Sequence, residues 1–254
     1  MNYKLIQGDC LEKMKDIPDQ SIDLVLCDLP YGITHCEWDK SLPLDVLWKE
    51  YKRIIKPNGN VLLFGVQPFI SEVVTSNKKE FNCVWFWIKN MKTGAMNARK
   101  QPMRRVEEIA VFIVNKPKKK GDTKSPTYNP QGLIELKKPR KESNWKKGVK
   151  KGVYNGASKP HYYTTHTNWP DQVLYFDIEY PKLHQTQKPV NLLAYLIKTY
   201  SNEGETVLDN CMGSGSTGIA CIQTNRNFIG IELNEKIFQG AKDRIGKIYE
   251  EATK

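Results

Sequence analysis

The chain has 254 residues, 39% hydrophobic and 26% charged, enough for one large domain or one domain with an insertion. Its net charge of +11 points to a polyanionic partner, while six cysteines without a CxxC pair and four histidines outside metal-ligand spacing argue against a disulfide framework or a metal site. No apolar run approaches the ~20 residues of a membrane helix, and "MNYKLIQGDC" lacks the apolar stretch of a secretory signal, so a cytoplasmic protein without a membrane partner is expected.

In chain order, "IDLVLC" (22–27) reads as a buried strand that runs straight into Asp28, Leu29, Pro30 and Tyr31. "PLDVLWKEYKRIIK" (43–56) has apolar residues at helical spacing and stops before Pro57-Asn58-Gly59. "VLLFG" (61–65), "CVWFWI" (83–88) and "IAVFIV" (109–114) read as further strands. Between the last two lies a basic stretch, 89–105, which holds Lys89, Arg99, Arg104 and Arg105 and no acid. Following a strand as it does, this stretch is a candidate contact for nucleic acid.

From 117 to 180 the periodicity disappears, and Pro, Gly, Lys, Asn and Tyr dominate. A structureless stretch of this length inside a compact domain reads as an insertion with its own role. Residues 117–160 hold thirteen Lys or Arg, Lys146 and Lys147 among them, against Asp122, Glu135 and Glu142. That segment carries +10 of the total, so the charge is local. Trp145, Tyr154, Tyr162, Tyr163 and Trp169 interleave with it, a composition suited to phosphate contact and base stacking.

Beyond the insertion, "PVNLLAYLIKTYS" (189–201) reads as a helix opened by a proline, followed by strands "TVLD" (206–209) and "FIGIE" (228–232) and two more helices. Strands alternating with helices predict an α/β fold with a doubly wound, mostly parallel sheet. The sheet is expected from 1–116 and 181–254, with 117–180 set apart.

Two features carry chemistry. In "VLDNCMGSGSTGIAC" (207–221), Asp209 ends a strand and Gly213, Gly215 and Gly218 precede a helix, the spacing of a nucleoside-binding loop. The next strand ends in Glu232, placed to accept hydrogen bonds from ribose hydroxyls. NAD fits this pattern as well as any other nucleoside. The second feature is the turn after 22–27. Pro30 stiffens it and pushes Leu29 to an extended conformation. The Asp28 carboxylate, the Leu29 carbonyl and the Tyr31 ring then converge: two acceptors and a π-face, suited to a planar base with an exocyclic amine. An ordinary strand-ending turn has the same local sequence.

Taken together, these features resemble the β subgroup of the S-adenosylmethionine-dependent DNA amino-methyltransferases, whose (D/N/S)-P-P-(Y/F/W) motif precedes a target-recognition insertion and a D-P-F-x-G-S-G-T-T loop. The resemblance extends through "QGDCLEKMKDIPDQSIDLVLCDLPYG", "VWFWIKN…RRVEEIAVFIV" and "HQTQKPVNLLAYLIKTYSNEGETVLDNCMGSGSTGIAC". It implies a Rossmann-like methyltransferase fold, S-adenosylmethionine as cofactor and double-stranded DNA as partner, with residues 117–180 as the recognition insertion. It also implies a homodimer, since members are often dimers. Asp28, Leu29, Pro30 and Tyr31 match the catalytic motif; Asp209, Gly213, Ser214, Gly215 and Glu232 match the cofactor site. Asp28 also faces that cofactor, Asp9 matches an acid near its adenine, and Lys188 matches the "QKP" near its methionine end. Leu29 stands where the family has the first proline, Asn210 and Cys211 where it has Pro and Phe, and Ser216 where it has Thr.

In the resembled family, Asp at the first motif position goes mostly with N6-adenine and Ser with N4-cytosine, so the resemblance implies N6 of a flipped adenine over N4 of cytosine. Two other classes are a nicotinamide-dependent oxidoreductase, which leaves the basic insertion without a role, and a catalytically inactive DNA-binding module.

Overall fold

The computed structural model describes residues 1–32, 41–115, 125–142, 162–179 and 187–253. In chain order, β1 (Tyr3–Gln7), α1 (Cys10–Lys13), β2 (Ile22–Cys27), α2 (Leu44–Ile54), β3 (Ile55–Gly65), α3 (Phe69–Ser76), β4 (Phe81–Thr93) and β5 (Arg104–Ile113) come first. Then follow β6 (Ile134–Glu142), β7 (Tyr162–Thr167), β8 (Val173–Tyr175), α4 (Val190–Tyr200), β9 (Thr206–Asp209), α5 (Ser216–Gln223), β10 (Asn227–Glu232) and α6 (Glu235–Ala252). Among the described residues, no helix is long and apolar enough to cross a membrane.

Two compact units emerge. The larger, Met1–Asn129 with Gln172–Lys254, contains an eight-stranded sheet in the order β1-β10-β9-β2-β3-β5-β4-β8. Strands β1, β10, β9, β2 and β3 run parallel, β5 is antiparallel to both β3 and β4, and β8 is parallel to β4. The mostly parallel sheet of the sequence reading is present.

Both faces of this sheet are covered, as a parallel sheet requires. Alternation in the strands assigns the faces. Leu24, Leu26, Leu62, Phe64, Trp85, Trp87, Ile109, Val111 and Val207 pack with α4, α5 and α6. Val25, Cys27, Val61, Leu63, Ala110, Phe112 and Leu208 pack with α1, α2 and α3. The buried residues of α2, Leu47, Trp48, Tyr51 and Ile54, lie at helical spacing along one stripe. The helix stops at Ile54 and the chain enters β3 through Asn58, which takes a left-handed φ of 61°. The strand therefore begins before the turn signal that the sequence places between helix and strand.

The smaller unit, Pro130–Asp171, holds the antiparallel pair β6–β7, irregular between Glu135 and Arg140. Asn168 closes one end by donating to the Gly132 carbonyl at 2.7 Å. This unit lies inside the 117–180 stretch, but the main sheet draws on that stretch too: β8 pairs with β4 from residues 173–175. A three-residue strand is too short to show a period in the sequence.

Candidate functional site

The strand order reverses between β2 and β9, and ligands of open α/β sheets bind beyond the carboxyl ends of the strands at such a point. A cleft of about 1130 Å³ opens there. Its polar residues continue the apolar rows of one sheet face. Asp28 follows Leu24 and Leu26, Lys89 follows Trp85 and Trp87, Glu107 precedes Ile109 and Val111, and Asp209 follows Val207. Period-two alternation thus delivers four charged side chains to the α4–α5 side of the sheet edge. All four line the cleft.

At the end of β2, the Asp28 carboxylate is held on both oxygens. The Tyr31 hydroxyl donates to Oδ1 at 2.5 Å, and the Lys188 ammonium pairs with Oδ2. The Tyr31 ring packs on Phe69, with centroids 4.9 Å apart and planes at 32°. Burial, then the Asp28 charge, holds its phenol well above the usual range. Leu29 is buried, and both it and Pro30 line the cleft.

Lys188 precedes Pro189, the residue that starts α4. Its ammonium reaches a second carboxylate, Glu107 Oε2, at 3.4 Å and sits 5.2 Å from the centre of the Phe64 ring. Burial alone would lower the Lys188 pKa, but Asp28 and Glu107 outweigh burial and raise it. Glu107 balances the other way. Burial pushes its carboxyl up, and Lys188 with Lys89 brings it below the ordinary value. Lys89, grouped by sequence with the DNA-facing residues, pairs its ammonium with Glu107 and is largely buried. Its charge is therefore neutralised inside the protein. Arg99, Arg104 and Arg105 are exposed, and Arg104 lines the cleft. Lys146 and Lys147 lie outside the described residues, as do Trp145 and Tyr154.

The glycine loop divides its labour. Gly213 takes a φ of 51°, lines the cleft, and has open space where a Cβ would stand. Gly215, with φ of 79°, lies against α6: a Cβ there would come within 2.7 Å of Ile245 Cδ1. Gly218 is pressed between Ile245 and Phe228 in the same way. One glycine thus borders the ligand space, and two let α5 pack closely. Arg244 ties the loop to α6, donating to the Ser214 carbonyl at 3.1 Å and to Ser216 Oγ at 3.0 Å. Asp209 accepts from the Thr217 hydroxyl at 2.6 Å and the Cys211 N–H at 3.2 Å, yet burial raises its pKa to about 6. Asn210 is buried and accepts from the Tyr51 hydroxyl at 2.6 Å. A polar contact thus anchors the position where the resembled family has proline.

Beside the loop, Glu232 accepts from the Gly213 N–H at 3.0 Å and the Asn234 N–H at 2.9 Å, one on each oxygen. A carboxylate has about four acceptor positions, so each oxygen keeps one for a ligand hydroxyl. Asp9 caps α1, accepting from Leu11 N–H at 2.8 Å, and borders the same cleft. The carboxylate acceptors and the open space at Gly213 fit a nucleoside with a free ribose edge.

Sequence reasoning missed Glu107 and Arg244. The signal for Glu107 was an acid inside "RRVEEIAVFIV" on the same alternation as Ile109 and Val111. Its meaning depends on Lys89 and Lys188, which only the register of β4 on β5 and the course of the chain before α4 bring near.

Comparison with known proteins supplies the remaining findings. The profile of the N6/N4 DNA methylase family matches residues 22–243. The type II methyltransferase M.HpaI of Haemophilus parainfluenzae is 25% identical over 96% of this chain and 74% of its own. The DNA adenine methyltransferase YhdJ of Escherichia coli (strain K12) is 27% identical over 91% of this chain and 79% of its own. Among solved structures, the M1.HpyAVI–SAM complex superposes with a TM-score of 0.62 at 22% identity, covering 95% of this chain and 99% of that one. The cytosine-N4-specific PvuII DNA methyltransferase superposes with a TM-score of 0.64 at 16% identity, covering 99% and 93%. These two show a shared fold.

Proposed function

This chain belongs to the N6/N4 DNA methylase family, and we propose that it methylates the exocyclic N6 of an adenine flipped out of duplex DNA at a specific site. It is an S-adenosylmethionine-dependent DNA amino-methyltransferase; the choice of base and the residue roles are our reading. The observation that carries the reading is Asp28. This carboxylate ends β2 inside the cleft, beside the Leu29 backbone and Tyr31, in the same cavity as Gly213 and Glu232.

The cleft residues fit the cofactor: Glu232 retains acceptor capacity for ribose hydroxyls, Gly213 leaves room, and Asp9, which lines the same cleft, would lie toward its adenine. Bound there, S-adenosylmethionine supplies an electrophilic methyl group on a sulfonium sulfur. The target nitrogen is a weak nucleophile because its lone pair is conjugated with the ring. Asp28 and the Leu29 carbonyl accept its two N–H bonds and favour a pyramidal nitrogen whose lone pair is free. Tyr31, backed by Phe69, offers its remaining face to the base. Holding nucleophile and methyl in line supplies much of the rate. As the N–C bond forms, the nitrogen becomes acidic and its proton leaves toward Asp28, so no strongly basic side chain is required.

Asp at the head of the motif supports adenine, as does the adenine specificity in the name of the relative YhdJ. Exposed Arg99, Arg104 and Arg105, with the basic insertion that includes Lys146 and Lys147, contact phosphates and read bases. The test is digestion of enzyme-treated plasmid DNA to nucleosides and mass spectrometry. N6-methyladenine supports the reading; N4-methylcytosine as the product would overturn the assignment of the base.

A further inference from the structure

Asp28 has no oxygen free of a partner: Tyr31 donates to Oδ1 and Lys188 pairs with Oδ2. Each oxygen keeps one acceptor position, but an incoming amine has to share it with a donor already bound and approaches more closely if the ammonium gives way. The surroundings provide a destination for the ammonium. Glu107 Oε2 lies 3.4 Å from Lys188 Nζ, and it is the buried side-chain atom, among the described residues, that has no hydrogen-bond partner. Held by an ion pair without a hydrogen bond, this oxygen leaves room for the ammonium to come closer. Its twin, Oε1, is held by Lys89. Lys188 thus stands between two carboxylates, bonded to one and just outside bonding distance of the other.

We propose that Glu107 is a positioning residue that receives Lys188 when the target amine reaches Asp28, so that Asp28 Oδ2 is released from its hydrogen bond to the ammonium and accepts from the reacting nitrogen. The inference rests on the reading of Asp28 as the group that holds the amine. During transfer the N–C bond forms, the C–S bond breaks with its electron pair returning to sulfur, and positive charge appears on the nitrogen until its proton leaves to Asp28. A carboxylate oxygen bonded to an ammonium attracts that charge less than one whose ammonium has leaned toward a second carboxylate. The movement is small. Closing 3.4 Å to a normal charged hydrogen bond takes a shift of about 0.6 Å. Lys89 keeps Glu107 in place, and the Phe64 face stays under the cation.

The test uses Glu107→Gln, Glu107→Asp, Lys188→Met and the double variant Glu107→Gln/Lys188→Met. The readouts are steady-state methylation, melting temperature, and fluorescence of a duplex carrying 2-aminopurine next to the target adenine at the site located by long-read mapping. In Glu107→Gln, kcat falls about tenfold or more while KM for S-adenosylmethionine stays within about twofold. Its 2-aminopurine signal falls to about half or less, because Lys188 still occupies Asp28. Glu107→Asp, which keeps the charge, recovers part of kcat. With Lys188→Met, Asp28 is already open, and adding Glu107→Gln alters the fluorescence by less than about twofold.

Equal losses from Glu107→Gln in both Lys188 backgrounds would overturn the proposal. So would wild-type kcat in Glu107→Gln, or a loss explained by lowered melting temperature or raised KM. A wild-type protein that neither methylates the duplex nor extrudes the base would instead overturn the reading of the site itself.

Discussion

Asp209 gives a quantitative prediction. The side chain is 4% exposed, sits at the end of β9, and accepts from Thr217 and Cys211. Burial outweighs those hydrogen bonds and raises its pKa from 3.8 to about 6. At about 1.4 kcal/mol per pKa unit, the difference corresponds to roughly 3 kcal/mol. The sign follows from which form the fold prefers. Below pH about 4 the carboxyl is protonated whether the chain is folded or unfolded, and it carries no penalty. As pH rises, the unfolded chain ionises first and folding loses stability, until the full cost is reached above pH about 6. Asp209→Asn removes this titration. Urea unfolding of the ligand-free protein is measured for both chains at pH about 4 and about 7.5, and the difference between them is compared. Relative to wild type, the variant gains roughly 3 kcal/mol between the two conditions. A difference that stays flat, or moves the other way, would mean that the loop hydrogen bonds hold Asp209 ionised and that the burial argument is wrong.

Four further outcomes follow from the geometry. Gly215→Ala combines a φ of 79° with a Cβ 2.7 Å from Ile245 Cδ1, and calorimetry should show a loss of roughly 2 kcal/mol or more. Gly213→Ala has open space around its Cβ, costs about 1 kcal/mol, and weakens the cofactor by narrowing the cleft. Glu232→Gln leaves the loop folded but lowers S-adenosylhomocysteine affinity, measured by titration calorimetry, by about tenfold to a hundredfold. Arg104→Ala weakens DNA binding and reduces the slope of log affinity against log salt by about 0.9 per lost phosphate contact.

The legible part of the molecule was the part governed by local pattern. Continuous β-branched and aromatic runs announced the central strands, because a strand buried on both faces admits little else. The Asp28 turn and the Gly213–Gly218 loop were visible because chain stiffness and backbone access are fixed by neighbouring residues. What escaped depended on contacts between distant segments. β1 and β8 are short, and their pairing with β10 and β4 stabilises them more than their own sequence does. Lys89 looked like a free cation until the β4–β5 register set it beside Glu107. The packing of Gly215 and Gly218 on Ile245 of α6, more than twenty residues on, could not be read from the loop's own sequence.

The central claim is that the Asp28 turn holds the amine that is methylated. Transfer of tritiated methyl from S-adenosylmethionine to unmethylated duplex DNA by wild type and Asp28→Ala tests it most directly, with S-adenosylhomocysteine binding measured on the same samples. The prediction is label on the exocyclic amine with wild type, and a loss of at least about a thousandfold in Asp28→Ala that still binds the cofactor product. Undiminished transfer by Asp28→Ala, or label recovered on a ring carbon, would contradict it.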